Sequence, residues 1–152
     1  DPNRVGAAGA SFGGFMMNWF EGHTDRFRCL VGHDGIFQGE TMAYTTEELW
    51  FEEKEHGGLP HDARRHVLRF SPHLHVKHFR TPTLVIHSDQ DFRCPISEGI
   101  GMFTALQTRG VPSKFIRFPD EGHWIWKPHN QRFWYAEILA WMDRWLKPKT
   151  GR

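Results

Sequence analysis

Short apolar runs alternate with glycine-flanked turns and amphipathic stretches along the chain. Val5 to Ala10 (VGAAGA) is a small, apolar run of the kind a buried parallel strand tolerates. A glycine-flanked turn follows. Phe15 to Phe20 (FMMNWF) is apolar nearly all round, and Gly22 stands where a helix C-terminal glycine would, which predicts a buried helix. Phe27 to Gly32 predicts a second strand that ends in His33-Asp34-Gly35. Residues 36–80 read as irregular or helical. Within them Thr46-Glu47-Glu48 before Leu49-Trp50-Phe51 predicts a short capped helix, and Asp62 a cap for another running through Phe70. The clearest strand is Thr83 to Ile86, after Pro82 and before the polar loop His87 to Arg93. Beyond Pro95, Ile96, Ile100, Phe103 and Leu106 recur at helical spacing up to Gly110. Lys114 to Phe118 predicts the last strand, followed by a loop from Pro119 to His123. A final helix over about 130–146 carries Trp134, Ile138, Trp141 and Trp145 on one stripe. Strands alternating with helices predict an α/β fold built on a parallel sheet.

Composition narrows the function classes. The 152 residues fit one domain, and 39% hydrophobic with 24% charged residues excludes wholesale disorder. Nineteen basic residues against 18 acidic ones leave a net charge of +1, so no broad field draws nucleic acid or an anionic membrane. No apolar run approaches the roughly 18 residues a membrane span needs, and no targeting segment is readable. The compartment therefore stays open. Cys29 and Cys94 are too few for a disulfide framework and lack metal spacing. Aromatics are the outlier. Five of the seven tryptophans (Trp124, Trp126, Trp134, Trp141, Trp145) lie beyond His123, so the C-terminal end is expected to bury a large apolar surface.

Gly9-Ala10-Ser11-Phe12-Gly13 is a G-x-S-x-G sequence set between the first strand and the buried helix. In a nucleophile elbow the serine occupies a strained turn that lifts its hydroxyl above the sheet, and the neighbouring positions must be small. Gly9, Gly13 and Gly14 meet that need, and the backbone N–H of Phe12 would supply half of an oxyanion hole. A serine hydroxyl needs an imidazole as base and a carboxylate to orient that imidazole. The strand 83–86 opens onto Asp89 and Asp91, and the strand 114–118 opens onto His123, both at the strand ends where open α/β sheets place their sites. The order serine, acid, histidine is that of α/β hydrolases. Either aspartate satisfies it.

Gly9 to Gly14 (GASFGG), His87 to Pro95 (HSDQDFRCP) and Glu121-Gly122-His123 resemble the three catalytic blocks of the prolyl oligopeptidase family of serine peptidases. HDGIF at 33–37, TEELWF at 46–51, PISEG at 95–99 and RGVPSKF at 109–115 resemble its acylaminoacyl-peptidase and dipeptidyl-peptidase V branch. The resemblance implies the C-terminal part of an α/β-hydrolase fold with a mainly parallel sheet. It implies Ser11 as nucleophile, His123 as base and, by the pattern D-x-R-x-P with Arg93 and Pro95, Asp91 rather than Asp89 as the acid. Phe12 stands where the family more often has tyrosine, a change that keeps the backbone donor. The expected partners are short peptide substrates and an N-terminal β-propeller of the same polypeptide. The first sheet strands and an upstream side chain serving as second oxyanion donor are expected to lie ahead of Asp1, and no metal or organic cofactor is implied.

Two other readings stand beside this one. A carboxylesterase shares the elbow and triad, and these residues alone could be an inactive piece. His33, Asp34 and Trp124 are expected near the substrate pocket, with a polar turn as the alternative for the first two. His73-x-His75 with His78 resembles a metallo-β-lactamase-type metal block, but Lys77 replaces its aspartate, which favours a solvated helix and loop.

Overall fold

A computed structural model describes residues 1–147. Its elements run β1 (Gly6–Ala10), α1 (Phe12–His23), β2 (Cys29–His33), α2 (Gly39–Thr45), α3 (Leu49–His56), α4 (Pro60–Arg69), a 3-10 helix (Pro72–His78), β3 (Thr83–Ser88), α5 (Ile96–Thr108), β4 (Ser113–Phe118) and α6 (Pro128–Leu146). The four strands form one parallel sheet in the order β1-β2-β3-β4. This is the α/β arrangement expected from the sequence.

Parallel register puts the carboxyl ends of the strands along one edge: Ala10 pairs with His33, His33 with Ile86, and Ser88 with Phe118. Alternation divides each strand between two faces. Val31, Leu84, Ile86, Ile116 and Phe118 pack with Trp141, Trp134, Ile138 and Trp145 of α6. On the other face Val85 and Phe115 join Met102, Ala105 and Leu106 of α5, while Gly32 abuts Met17 and Asn18 of α1. With helices on both faces, β2 and β3 are buried throughout, as their near-continuous apolar sequences require.

Several local expectations change. The first helix begins at Phe12, directly after the serine, and runs past Gly22; it is capped at Thr24. Gly22 does not end the helix. A Cβ there would come within 2.5 Å of His75 Cβ, so close packing, not chain reversal, accounts for the glycine. Helix α2 was not expected. Helix α4 is capped by Leu59 and starts with Pro60, so Asp62 falls inside its first turn. The aromatic C-terminal end is only partly buried: Trp141 is enclosed, whereas Trp124 and Trp126 are exposed on the loop before α6 and Tyr135 and Leu139 on its outer side.

Candidate active site

Ser11 sits between β1 and α1 with φ 57° and ψ −118°, a conformation that L side chains rarely adopt. The turn is held because Ser11 N donates to His33 O at 2.9 Å and Ser11 O accepts from Phe15 N at 2.9 Å. Two glycines allow it. A Cβ on Gly9 would lie 2.4 Å from Gly13 O, and one on Gly14 would lie 2.3 Å from His33 O, both backbone atoms that cannot yield. A Cβ on Gly13 would meet open space, so there crowding does not explain the glycine.

The structure brings Ser11, His123 and Asp91 into one hydrogen-bonded line. His123 Nε2 is 2.9 Å from Ser11 Oγ, and His123 Nδ1 is 2.8 Å from Asp91 Oδ2. Asp91 Oδ1 accepts from the Arg93 and Cys94 amides at 3.0 and 2.9 Å, which fixes the carboxylate in the loop after β3. Asp89 lies elsewhere, forked by the Arg117 guanidinium at 3.0 and 2.7 Å on the exposed side of the loop. Burial lowers the proton affinity of His123, but the hydrogen bond and charge of Asp91, with the charge of Asp34, outweigh it; the net shift is upward despite opposition from Arg93.

Residues the sequence reading did not assign keep these loops in place. Glu121 accepts from the Trp126 and Lys127 amides, each at 3.0 Å, and from Asn130 Nδ2 at 2.7 Å, so the turn carrying His123 closes on a buried carboxylate. Gln90 N donates to Glu121 O at 3.1 Å and joins the acid and histidine loops. Arg93 reaches Glu48 Oε1 at 2.6 Å, and Thr46 Oγ1 donates to Arg93 O at 2.7 Å, which ties the start of α3 to the acid loop. Glu121, Gln90, Arg93, Thr46 and Glu48 all stand inside stretches that carry the family resemblance, whereas Asn130 lies outside them, and none of these contacts has a local sequence signal of its own.

Of the residues expected near a substrate pocket, His33 and Trp124 line a cavity of about 270 Å³ together with Ser11, His123, Trp126 and Trp134. Asp34 does not line it. Its side chain is 1% exposed and lies behind the site, with φ 50° at its backbone. A second cavity, of about 370 Å³, opens beside Phe12 and Phe15 and is walled by Trp19, Val67 and Phe70, with Glu52 and His56 on its lining. Burial, reinforced by Glu55 and Glu98, pushes the Glu52 carboxyl up to about 7.

The histidines at 73, 75 and 78 form no ligand set. His73 packs on Phe37, and His75 on Trp19 and His23. Among the described residues, three groups able to ligate a metal converge once, at Asp34, His87 and Asp91. Asp91 is already held by His123 and two amides, and His87 Nε2 lies 2.6 Å from Cys94 O. That oxygen can only accept, so this nitrogen carries its proton and offers no lone pair to an ion.

A family model described as the prolyl oligopeptidase family matches residues 1–149. The chain is 46% identical over 143 residues to a probable dipeptidyl-peptidase 5 of Aspergillus clavatus, covering 91% of this chain and 20% of that protein. Against the dipeptidyl-peptidase 5 of Trichophyton tonsurans the identity is 46% over 144 residues, with the same coverage of 91% and 20%. It thus spans about a fifth of the length of these relatives. A crystal structure of the acylaminoacyl peptidase of Pyrococcus horikoshii superposes with a TM-score of 0.92 at 26% identity, over 100% of this chain and 26% of that one. A puromycin-hydrolysing peptidase of Mycobacterium tuberculosis shares the fold, with a TM-score of 0.90 at 24% identity over 99% of this chain and 23% of that one. With the family model spanning nearly every residue and close relatives agreeing with it, this chain belongs to the prolyl oligopeptidase family.

Proposed function

We propose that the protein carrying this chain is a serine peptidase that cleaves short peptides, of the dipeptidyl-peptidase or acylaminoacyl-peptidase type. Residues 1–152 are, in this reading, the C-terminal portion of its catalytic α/β-hydrolase domain. The observation that carries it is the unbroken line from Ser11 Oγ through His123 to Asp91.

Ser11 Oγ attacks the scissile carbonyl while His123 Nε2 takes its proton. Asp91 accepts from His123 Nδ1, which selects the tautomer with a free Nε2 lone pair and favours the imidazolium that forms. Phe12 is the first residue of α1, so its N–H has no acceptor within the helix and faces charge at the helix's positive end. It serves as an oxyanion donor. The second donor belongs to an upstream segment. His123 then gives its proton to the leaving amine, and a water molecule, deprotonated by the same imidazole, releases the acyl group from Ser11. The cavity at Trp124 and the one at Phe15 flank the nucleophile and receive the two sides of the peptide. The propeller upstream restricts access to short chains.

The reading is tested by assaying the full-length protein on N-terminally free and N-acylated short peptidyl amides and on simple alkyl esters. Amide turnover that falls to background in Ser11→Ala supports it. Turnover of esters alone would replace it with a carboxylesterase.

A further inference from the structure

Behind the triad lies a second acid whose environment is unusual. Both carboxylate oxygens of Asp34 are buried without a hydrogen-bond partner. The loop after β2 still directs the side chain inward, at φ 50°, with its amide anchored on Ile86 O at 3.0 Å. An ionised carboxylate removed from water and left without donors is costly unless a positive charge compensates it. Its neighbours are few. His33 Nε2 approaches Asp34 Oδ2 at 2.8 Å, and His87 Nε2 lies 3.8 Å from Asp34 Oδ1 and 3.9 Å from Asp91 Oδ2. Asp34, His87 and Asp91 offer atoms that all fall within 4.8 Å of one another, so two buried carboxyl groups share one pocket. His87 spends its Nε2 proton on Cys94 O, and its Nδ1 is buried without a partner, facing Gly99. The group beside this pocket that gains a proton during turnover is His123, held by Asp91.

Resting on the triad reading above, we infer that Asp34 is a positioning residue of the same reaction: a second buried carboxylate that acts through the Asp91 region to stabilise the His123 imidazolium. The charge of Asp34 acts on His123 in the same direction as that of Asp91. The other groups around the imidazole are Ser11 at the elbow and Arg93 in the acid loop, the latter opposing. Around Asp34 the remaining groups are His33, His87, Asp91 and the Cys94 thiol, itself pushed well above its ordinary value by burial and by Glu98 of α5, Asp91 and Asp34. The device lets proton transfer from Ser11 form the imidazolium on the ring that Asp91 holds, next to a pocket that contains a second buried acid.

The test is the pH profile of kcat/KM for the full-length protein with Asp34→Asn. Asparagine keeps the shape and tolerates the left-handed backbone, so only the charge is removed. The inference expects the acid limb, set by His123, to move down by about half a pH unit or more and plateau kcat to fall by about tenfold. An unmoved limb overturns it, whatever the loss of activity, because a merely structural role lowers the plateau and leaves the midpoint. The pH dependence of the rate constant for fluorophosphonate labelling gives a second readout that counts only folded sites. If Asp34→Asn yields no folded protein, Asp34→Ser is measured the same way. Ser11→Ala separates the two levels. Labelling that survives it defeats the triad reading, whereas loss of labelling with an unmoved Asp34→Asn limb defeats this inference alone.

Discussion

At the carboxyl edge of the sheet, acidic side chains grip pairs of neighbouring amides: Asp91 those of Arg93 and Cys94, Glu121 those of Trp126 and Lys127, and Glu98 of α5 those of Phe37 and Gln38. The helical wall of residues 39–70 is built differently. There Glu52 is buried with Oε2 lacking a hydrogen bond, His56 Nε2 lies 3.5 Å away, and the cavity beside it is walled by Trp19, Val67 and Phe70. A carboxylate that takes two backbone donors fixes a loop to within a fraction of an ångström, which proton transfer requires. One that takes none leaves its surroundings free to adapt. Under the function proposed above, the contrast gives the clamped edge the chemistry and the wall the selection of substrate side chains.

The sharpest way to break that division is to neutralise the two loop acids in turn in the full-length protein. Asp91→Asn is expected to lower kcat by about 10⁴-fold, because the imidazole loses its tautomer and its countercharge. Asp89→Asn removes only an exposed ion pair with Arg117 and is expected to change kcat less than about twofold. Comparable losses in steady-state assays would contradict the assignment.

A glycine in each region gives the next largest effect. Gly14→Ala drives a Cβ into His33 O and is expected to destabilise by roughly 3 kcal/mol or more. Gly57→Ala, in the wall, meets open space and carries only the strain of φ 74°, about 1 kcal/mol. Thermal unfolding of the two variants checks the ordering.

Linkage separates the clamps themselves. Burial lifts Glu98 to about 7 against its two amide bonds, so the folded chain holds that proton more tightly than the unfolded one. Its contribution to stability is therefore present below about pH 4.5 and is lost as pH rises toward 7. Glu98→Gln is expected to remove this fall, at most about 3 kcal/mol across the window, in denaturant titrations at several pH values. At Glu121 burial acts upward too, but Asn130 and the two amides prevail and the net shift is downward. Its contribution has the opposite sign and is lost as pH falls below the ordinary glutamate range.

Truncating the wall is expected to have the smallest effect. Phe70→Ala enlarges the cavity beside Phe12 and is expected to raise KM for apolar substrates several-fold with kcat unchanged, since it removes binding shared by ground and transition states. A fall in kcat with constant KM would move this surface into the chemistry.

The same contrast explains what the sequence made legible. The strands and the order Ser11, Asp91, His123 could be read because a parallel sheet demands continuous apolar runs and its site residues follow strand ends. The choice between Asp89 and Asp91 rested on family pattern; in space two amides and His123 hold Asp91 while an arginine holds Asp89, and none of these contacts has a local signature. Within residues 39–70 the helices α3 and α4 were expected, but α2 was not singled out, because its seven residues bury Gly39, Met42 and Ala43 and give too short a period to read. Asp34 was expected at the pocket because it ends a strand at the right edge. Its left-handed backbone turns it inward instead, a conformation that the letters His-Asp-Gly do not reveal.

The central claim is that the reactive hydroxyl of this protein is that of Ser11. Treating the full-length protein with a fluorophosphonate and locating the adduct by peptide mass spectrometry tests it directly. The account predicts a single adduct on Ser11 that is absent from Ser11→Ala and slowed by orders of magnitude in Asp91→Asn. An adduct on another residue, or undiminished labelling of Ser11→Ala, would contradict it.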